Sequence, residues 1–152
     1  MIEHYKTSED LMADFCDLLQ NTHFTYNNQD TTMADLISGN IYQSGLRPRD
    51  SQAEDIVVIY TSGVTTKDIV KGEMTINLYV PDVHTYPNGV YVKDSTRITA
   101  LANALQTHLT ALTYGVTDYR IIQLEPIKSV KDKELHQHFI VAHLQYEYCL
   151  IN

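Results

Sequence analysis

The spacing of apolar positions changes period along this chain, and each change marks an element. Residues 8–19, SEDLMADFCDLL, put Leu11, Phe15, Leu18 and Leu19 at helical spacing with Met12 and Cys16 beside them. That stripe predicts a helix with one buried face, capped by Thr7 or Ser8, with Glu9 and Asp10 at the positive end of its dipole. Residues 21–33, NTHFTYNNQDTTM, are polar and aperiodic, so they read as a loop, with a helical turn over residues 33–37. Two short β-branched and aromatic runs follow, residues 39–46 and 55–61. Arg47-Pro48-Arg49-Asp50 separates them as a loop, because proline has no N–H for a ladder.

The clearest strand covers residues 70–80, where Val70, Gly72, Met74, Ile76, Leu78 and Val80 alternate with Lys71, Glu73, Thr75, Asn77 and Tyr79. A period of two puts the first set on a core face and the second towards solvent or a partner. Residues 83–94, VHTYPNGVYVKD, centre on the turn signal Pro87-Asn88-Gly89 and predict a small protruding hairpin. Ser95 or Thr96 then caps a helix with Ile98, Leu101, Ala102, Leu105, Leu109 and Leu112 on one stripe, ending before Gly115. Strands over residues 119–125 and 139–150 close the chain around a charged loop, residues 128–134. In the last strand Ile140, Ala142, Leu144, Tyr146, Tyr148 and Leu150 alternate with Val141, His143, Gln145, Glu147 and Cys149.

The predicted order is α-β-β-β-α-β-β. Short links between neighbouring strands favour antiparallel pairing, and helices with one apolar stripe cover a single sheet face. The expected fold is α+β: a two-layer sandwich, mainly an antiparallel sheet with two helices on one face. At 152 residues, 43% hydrophobic and 20% charged, the chain suits one domain, residues 1–152, with one core.

Charge narrows the partners. With 11 Lys+Arg against 19 Asp+Glu, the chain carries a formal −8 and its cations are scattered. Gripping a phosphate backbone depends on clustered cations, so sequence-specific nucleic-acid binding is disfavoured. No apolar run approaches the roughly 20 residues of a membrane-spanning helix, and the N-terminus lacks a signal peptide's order, which points to an unsecreted chain without a membrane partner. Cys16 and Cys149 are too few for a disulfide framework and read as small core residues.

Chemical motifs are sparse. His136-Gln137-His138 is the one local histidine cluster: in a strand, His136 and His138 share a face and converge on one ion with Glu134 as third ligand, while His143 points the other way. Without ligands from a second element, the plainer reading is a polar strand entrance. Ser62-Gly63 lacks the preceding glycine of a nucleophile elbow, and no glycine-rich phosphate loop or other cofactor motif is present. Glu54-Asp55 reads as charges at the start of a strand rather than as a general acid and base. No catalytic set emerges, and the reading is a non-enzymatic protein. The 11 tyrosines, with no tryptophan, are more informative. Tyr79 on the polar face of the long strand, with Tyr86 and Tyr91 in the hairpin, are candidate interface residues, because a large amphipathic ring off the core contacts another chain or packs locally.

The run Asp55-Ile56-Val57-Val58, followed by Gly72-Glu73-Met74-Thr75-Ile76-Asn77-Leu78-Tyr79-Val80-Pro81-Asp82, resembles small phage tail-completion proteins, the tail terminator and tail-to-head joining group of phages and prophages. The closing half is similar too: a Thr96-Arg97-Ile98-x-x-Leu101 helix, a variable strand, then His138-Phe139 leading to Leu144-Gln145-Tyr146-Glu147-Tyr148-Cys149. The likeness spans about residues 55–150. It implies a sheet with helices on one side, and subunits that form a ring, commonly a hexamer. Such a ring caps the tail-tube protein, stops polymerisation and offers a surface to the head connector. It implies a place in the virion, assembled in the bacterial host cytoplasm, and no catalytic residues. DNA passes through such a ring, and an acidic lumen that does not hold phosphates suits that passage. The alternatives are a neck or head-closure protein of the same module and, from a different class, a small metal-dependent hydrolase using His136, His138 and Glu134.

Overall fold

A computed structural model describes residues 2–85, 89–115 and 117–150. The order is α1 (Ser8–Asn21), β1 (Phe24–Tyr26), β2 (Gln29–Thr31), α2 (Met33–Leu36), β3 (Ile41–Gln43), β4 (Ile56–Thr65), β5 (Ile69–Pro81), β6 (Val83–Thr85), β7 (Val90–Val92), α3 (Ser95–Tyr114), β8 (Arg120–Gln123), β9 (Lys128–Lys131) and β10 (Gln137–Cys149). Together they form an α+β fold built on a largely antiparallel sheet.

Local chemistry sets the helix ends. The Thr7 hydroxyl accepts from the Asp10 N–H while the Asp10 carboxylate accepts from the Thr7 N–H, a reciprocal box that starts α1. For α3 the cap is Asp94, just before the expected Ser95 or Thr96. Its carboxylate accepts from the Arg97 N–H at 3.1 Å, and a carboxylate also complements the helix dipole.

The main sheet runs β3-β4-β5-β10-β8, with β9 also on β10. β5 and β10 pair antiparallel along their full 13 residues, from Gln137↔Pro81 to Cys149↔Ile69. β9 lies within the stretch expected to be a charged loop, because Ser129 and Val130 pair with Ile140 and Phe139. β3 and β4 are parallel, against the expected antiparallel pairing, since the connection over residues 44–55 is long enough to carry the chain back to the same end. The expected loop over residues 21–33 instead contains the β1–β2 hairpin. Asn27 and Asn28 both have positive φ, 51° and 62°, as a two-residue type I′ turn requires, and asparagine tolerates that region better than other residues with a Cβ.

The two long helices, α1 and α3, bury their stripes against one face of the sheet, and the four-residue α2 adds Met33 to the same core. Leu11, Phe15 and Leu19 of α1 and Leu101, Leu105 and Leu109 of α3 share a core with Met74, Ile76 and Leu78 of β5 and Ile140, Leu144 and Tyr146 of β10. Full burial of a side chain such as Leu105 stabilises by about 1.5–3 kcal/mol. β4 bulges between Tyr60 and Ser62. There the Tyr146 hydroxyl donates to the Ser62 carbonyl at 3.1 Å, and only a residue without a Cβ fits at Gly72 beneath it. Cys16 is half-buried, and burial, aided by Asp17, pushes its thiol up to about 11. Cys149 is exposed rather than in the core, because it belongs to the outward-pointing set of β10. No helix among the described residues is long and apolar enough to cross a membrane.

Candidate interaction surface

The β6–β7 hairpin leaves the sheet directly after β5. Its register, Val83↔Val92, His84↔Tyr91 and Thr85↔Val90, sorts the side chains onto two faces. One carries His84 and Tyr91, and this face turns to the body. The Tyr91 ring stacks on His136 at 3.7 Å and 7°, with His84 stacked on its other side at 4.5 Å and 13°. The opposite face carries Val83, Val90 and Val92, which are 44%, 53% and 43% exposed. Three valines in water on one small ribbon leave apolar area unmatched within the described chain. Tyr86 lies outside the described residues. Tyr91, stacked on His136 and His84, is 43% exposed, as much as Val92, so the hairpin shows apolar area on both faces and most of it at the valines.

Beneath the hairpin, buried polar groups fix its base. His138 Nδ1 lies 2.7 Å from the Asp82 carboxylate, both largely buried, and the Asp82 N–H donates to the His136 carbonyl. A cavity of about 100 Å³, lined by Ser51, Gln52, Asp82, Tyr91, His136 and Gln137, separates the hairpin from the loop after β3. Arg47 of that loop binds the buried Asp55 at 2.9 Å and the Gln137 side-chain oxygen at 3.2 Å, with its guanidinium 3.9 Å over the Tyr79 ring. Tyr79 is thereby covered from within the chain, with Phe139 against its other side at 5.4 Å.

Glu54 and Asp55 stand directly before β4, as expected for charges at a strand start, but they are not solvated. Both are buried: Asp55 accepts from the Asn40 N–H, Ser51 and Arg47, and Glu54 takes a two-point grip from Arg97 at 2.6 and 2.8 Å. Burial opposes the Glu54 charge, but the Arg97 guanidinium and the Ser38 N–H outweigh it and hold the carboxyl below its ordinary range. Arg97 also donates to the Leu36 carbonyl, so it ties α3, α2 and the start of β4 together.

The histidine cluster separates in three directions. His136 precedes β10 and stacks on Tyr91, His138 pairs with Asp82, and Glu134 sits in a turn where its N–H donates to Asp132. Among the described residues no group of three or more His, Cys, Asp or Glu is arranged to hold a metal. A different polar chain crosses the outer face of the sheet: Thr61 and Thr75 hydroxyls at 3.1 Å, Thr75 and His143 Nδ1 at 3.0 Å, and His143 Nε2 and Glu125 at 3.2 Å. A hydroxyl, imidazole and carboxylate in series suggest a nucleophile. Yet Thr75 lies mid-strand with β4 and β10 on either side, where the ladders occupy the backbone N–H groups that an oxyanion site needs. The chain acts as a polar ladder that orders three strands.

No protein-family model matches the chain, and no curated protein matches it. The valine face was legible in the alternation of residues 83–92, but the tyrosines drew the reading because large rings dominate interfaces. Nothing in sequence spacing brings Arg97 of α3 to Glu54, forty-three residues away, whereas Arg47 meets Asp55 within the one connection between β3 and β4.

Proposed function

We propose that this protein is a non-enzymatic subunit of phage or prophage tail completion, which joins other copies in a ring at the end of the tail tube and presents a surface to the head connector. The observation that carries the reading is the β6–β7 hairpin, seated on the body by a ring stack while Val83, Val90 and Val92 face outward. An apolar ribbon seated on the body by a ring stack is suited to docking, and the resemblance over residues 55–150 supplies the assembly it would serve. Alone, the subunit associates weakly, because a cap that polymerised by itself would compete with the tube end. Adding the purified protein to polymerising tube protein and following tube length by electron microscopy tests this. Shortened tubes with the protein at their ends are expected, and tubes that lengthen unchanged without bound protein would refute the proposal.

A further inference from the structure

We propose that the β6–β7 hairpin of one copy adds to the open edge of β4 on a second copy, so that subunits join head to tail. This deepens the assembly reading above and rests on it for its setting, but the contact itself is argued from two unmatched surfaces of the chain.

The first is the valine face of the hairpin. The second is the edge of β4. β3 pairs with β4 only at residues 56–58, and no strand among the described residues pairs with its outer edge from residue 59 onwards. An edge of this kind leaves backbone donors and acceptors ready to pair with another strand, and proteins ordinarily blunt it with lysine, proline or a bulge; β4 bulges at residues 60–62, which leaves the stretch beyond it, residues 62–65, as the open edge. Residues 56–66, IVVIYTSGVTT, contain no charge and no proline, and Val64 is 68% exposed.

Charge selects the occupant. Copies of a chain with a formal −8 repel wherever acidic surfaces meet, yet both surfaces lie in uncharged stretches, residues 56–66 and residues 83–92, VHTYPNGVYV. A second copy can bring these together without opposing like charges. Cross-strand pairing places Ile59 opposite Thr75 and Val64 opposite Lys71, so both point to the outer face of the sheet. A three-residue hairpin strand added along this edge beyond the bulge extends the sheet, with its valines beside Val64. The two surfaces sit at different ends of the sheet: the hairpin follows Pro81, while the edge runs towards the turn before Ile69. A contact between unlike patches is heterologous and propagates until a ring closes.

The test uses two full-length variants at exposed positions, each confirmed to be folded by its thermal melt. Val64→Lys/Thr65→Lys blocks the edge, and Val83→Lys/Val92→Lys blocks the hairpin. Sedimentation equilibrium from micromolar to about millimolar protein should show wild-type association that weakens at least about tenfold in either variant. An equimolar mixture should form a one-to-one dimer and nothing larger, since one intact edge meets one intact hairpin. A wild type monomeric throughout, or a mixture that stays monomeric, overturns the contact. A hairpin variant that still dimerises alone shows edge-to-edge pairing and also overturns it. If the mixture dimerises but neither variant disturbs tail assembly, the contact stands and the tail reading fails.

Discussion

His108 provides the sharpest stability test. It lies on the inner face of α3, fully buried, and neither ring nitrogen has a hydrogen-bond partner among the described residues. Its ring meets Phe24 of the β1–β2 hairpin edge-on at 5.2 Å and 83°. Burial is the cause that pushes its pKa from 6.5 down to about 4. The unfolded chain therefore takes up a proton as pH falls through 6.5, while the native chain does not until about pH 4. Between those values the unfolded state binds more protons, so stability falls as pH falls, and the loss levels off below about pH 4. A shift of this size corresponds to roughly 3 kcal/mol.

The perturbation is His108→Leu, which keeps the volume and removes both unpartnered nitrogens. Above pH 7 it relieves buried polar groups worth about 1–3 kcal/mol but gives up a ring contact of about 0.5–1.5 kcal/mol. A net gain near 1 kcal/mol is expected. Urea unfolding followed by circular dichroism at pH 7.5, 6, 5 and 4 gives both curves, and their difference cancels the carboxylates common to both. The advantage of the leucine variant should grow by about 3 kcal/mol on going from pH 7.5 to pH 4. Parallel curves over that range would refute the reasoning and show that His108 finds water or a partner.

Three further outcomes follow from the packing. Asp55→Ala strands the Arg47 guanidinium in a buried site and releases the Asn40 and Ser51 contacts, so urea unfolding should show a loss of about 3–5 kcal/mol. His138→Ala removes the partner of a buried Asp82 and should cost about 2 kcal/mol, whereas His136→Ala should cost under about 1 kcal/mol yet raise hydrogen exchange in residues 83–85 and 90–92, because it removes the seat of the hairpin. Gly72→Ala drives a methyl group into the Ser62 carbonyl and the Tyr146 ring, and the melting temperature should fall in line with about 1–3 kcal/mol.

Period-two alternation made β5 and β10 readable, because each is long and carries one face to the core. The i, i+3, i+4 stripes of α1 and α3 were readable for the same reason. β9 was hidden in Lys128-Ser129-Val130-Lys131, whose charges outweigh its pattern, and it forms a strand only because β10 offers a free edge. The β1–β2 hairpin was signalled by Asn27-Asn28 alone, without the glycine that usually completes such a turn. Parallel pairing of β3 and β4 depends on where the connection over residues 44–55 returns, and the Arg47–Asp55 ion pair closes that connection on itself. At the surface, residues 83–94 were recognisable as a hairpin, but which face turned outward depended on His136, nearly fifty residues away in sequence.

The proposed role of the hairpin's valine face in tail completion can be tested on whole particles. Its most direct test is electron microscopy of particles made with wild-type protein and with Val83→Lys/Val92→Lys, the melting temperature of the variant first shown to match wild type. The account predicts uniform, head-joined tails with wild type, and tubes of irregular length without heads with the variant. Uniform tails that join heads in the variant would contradict it.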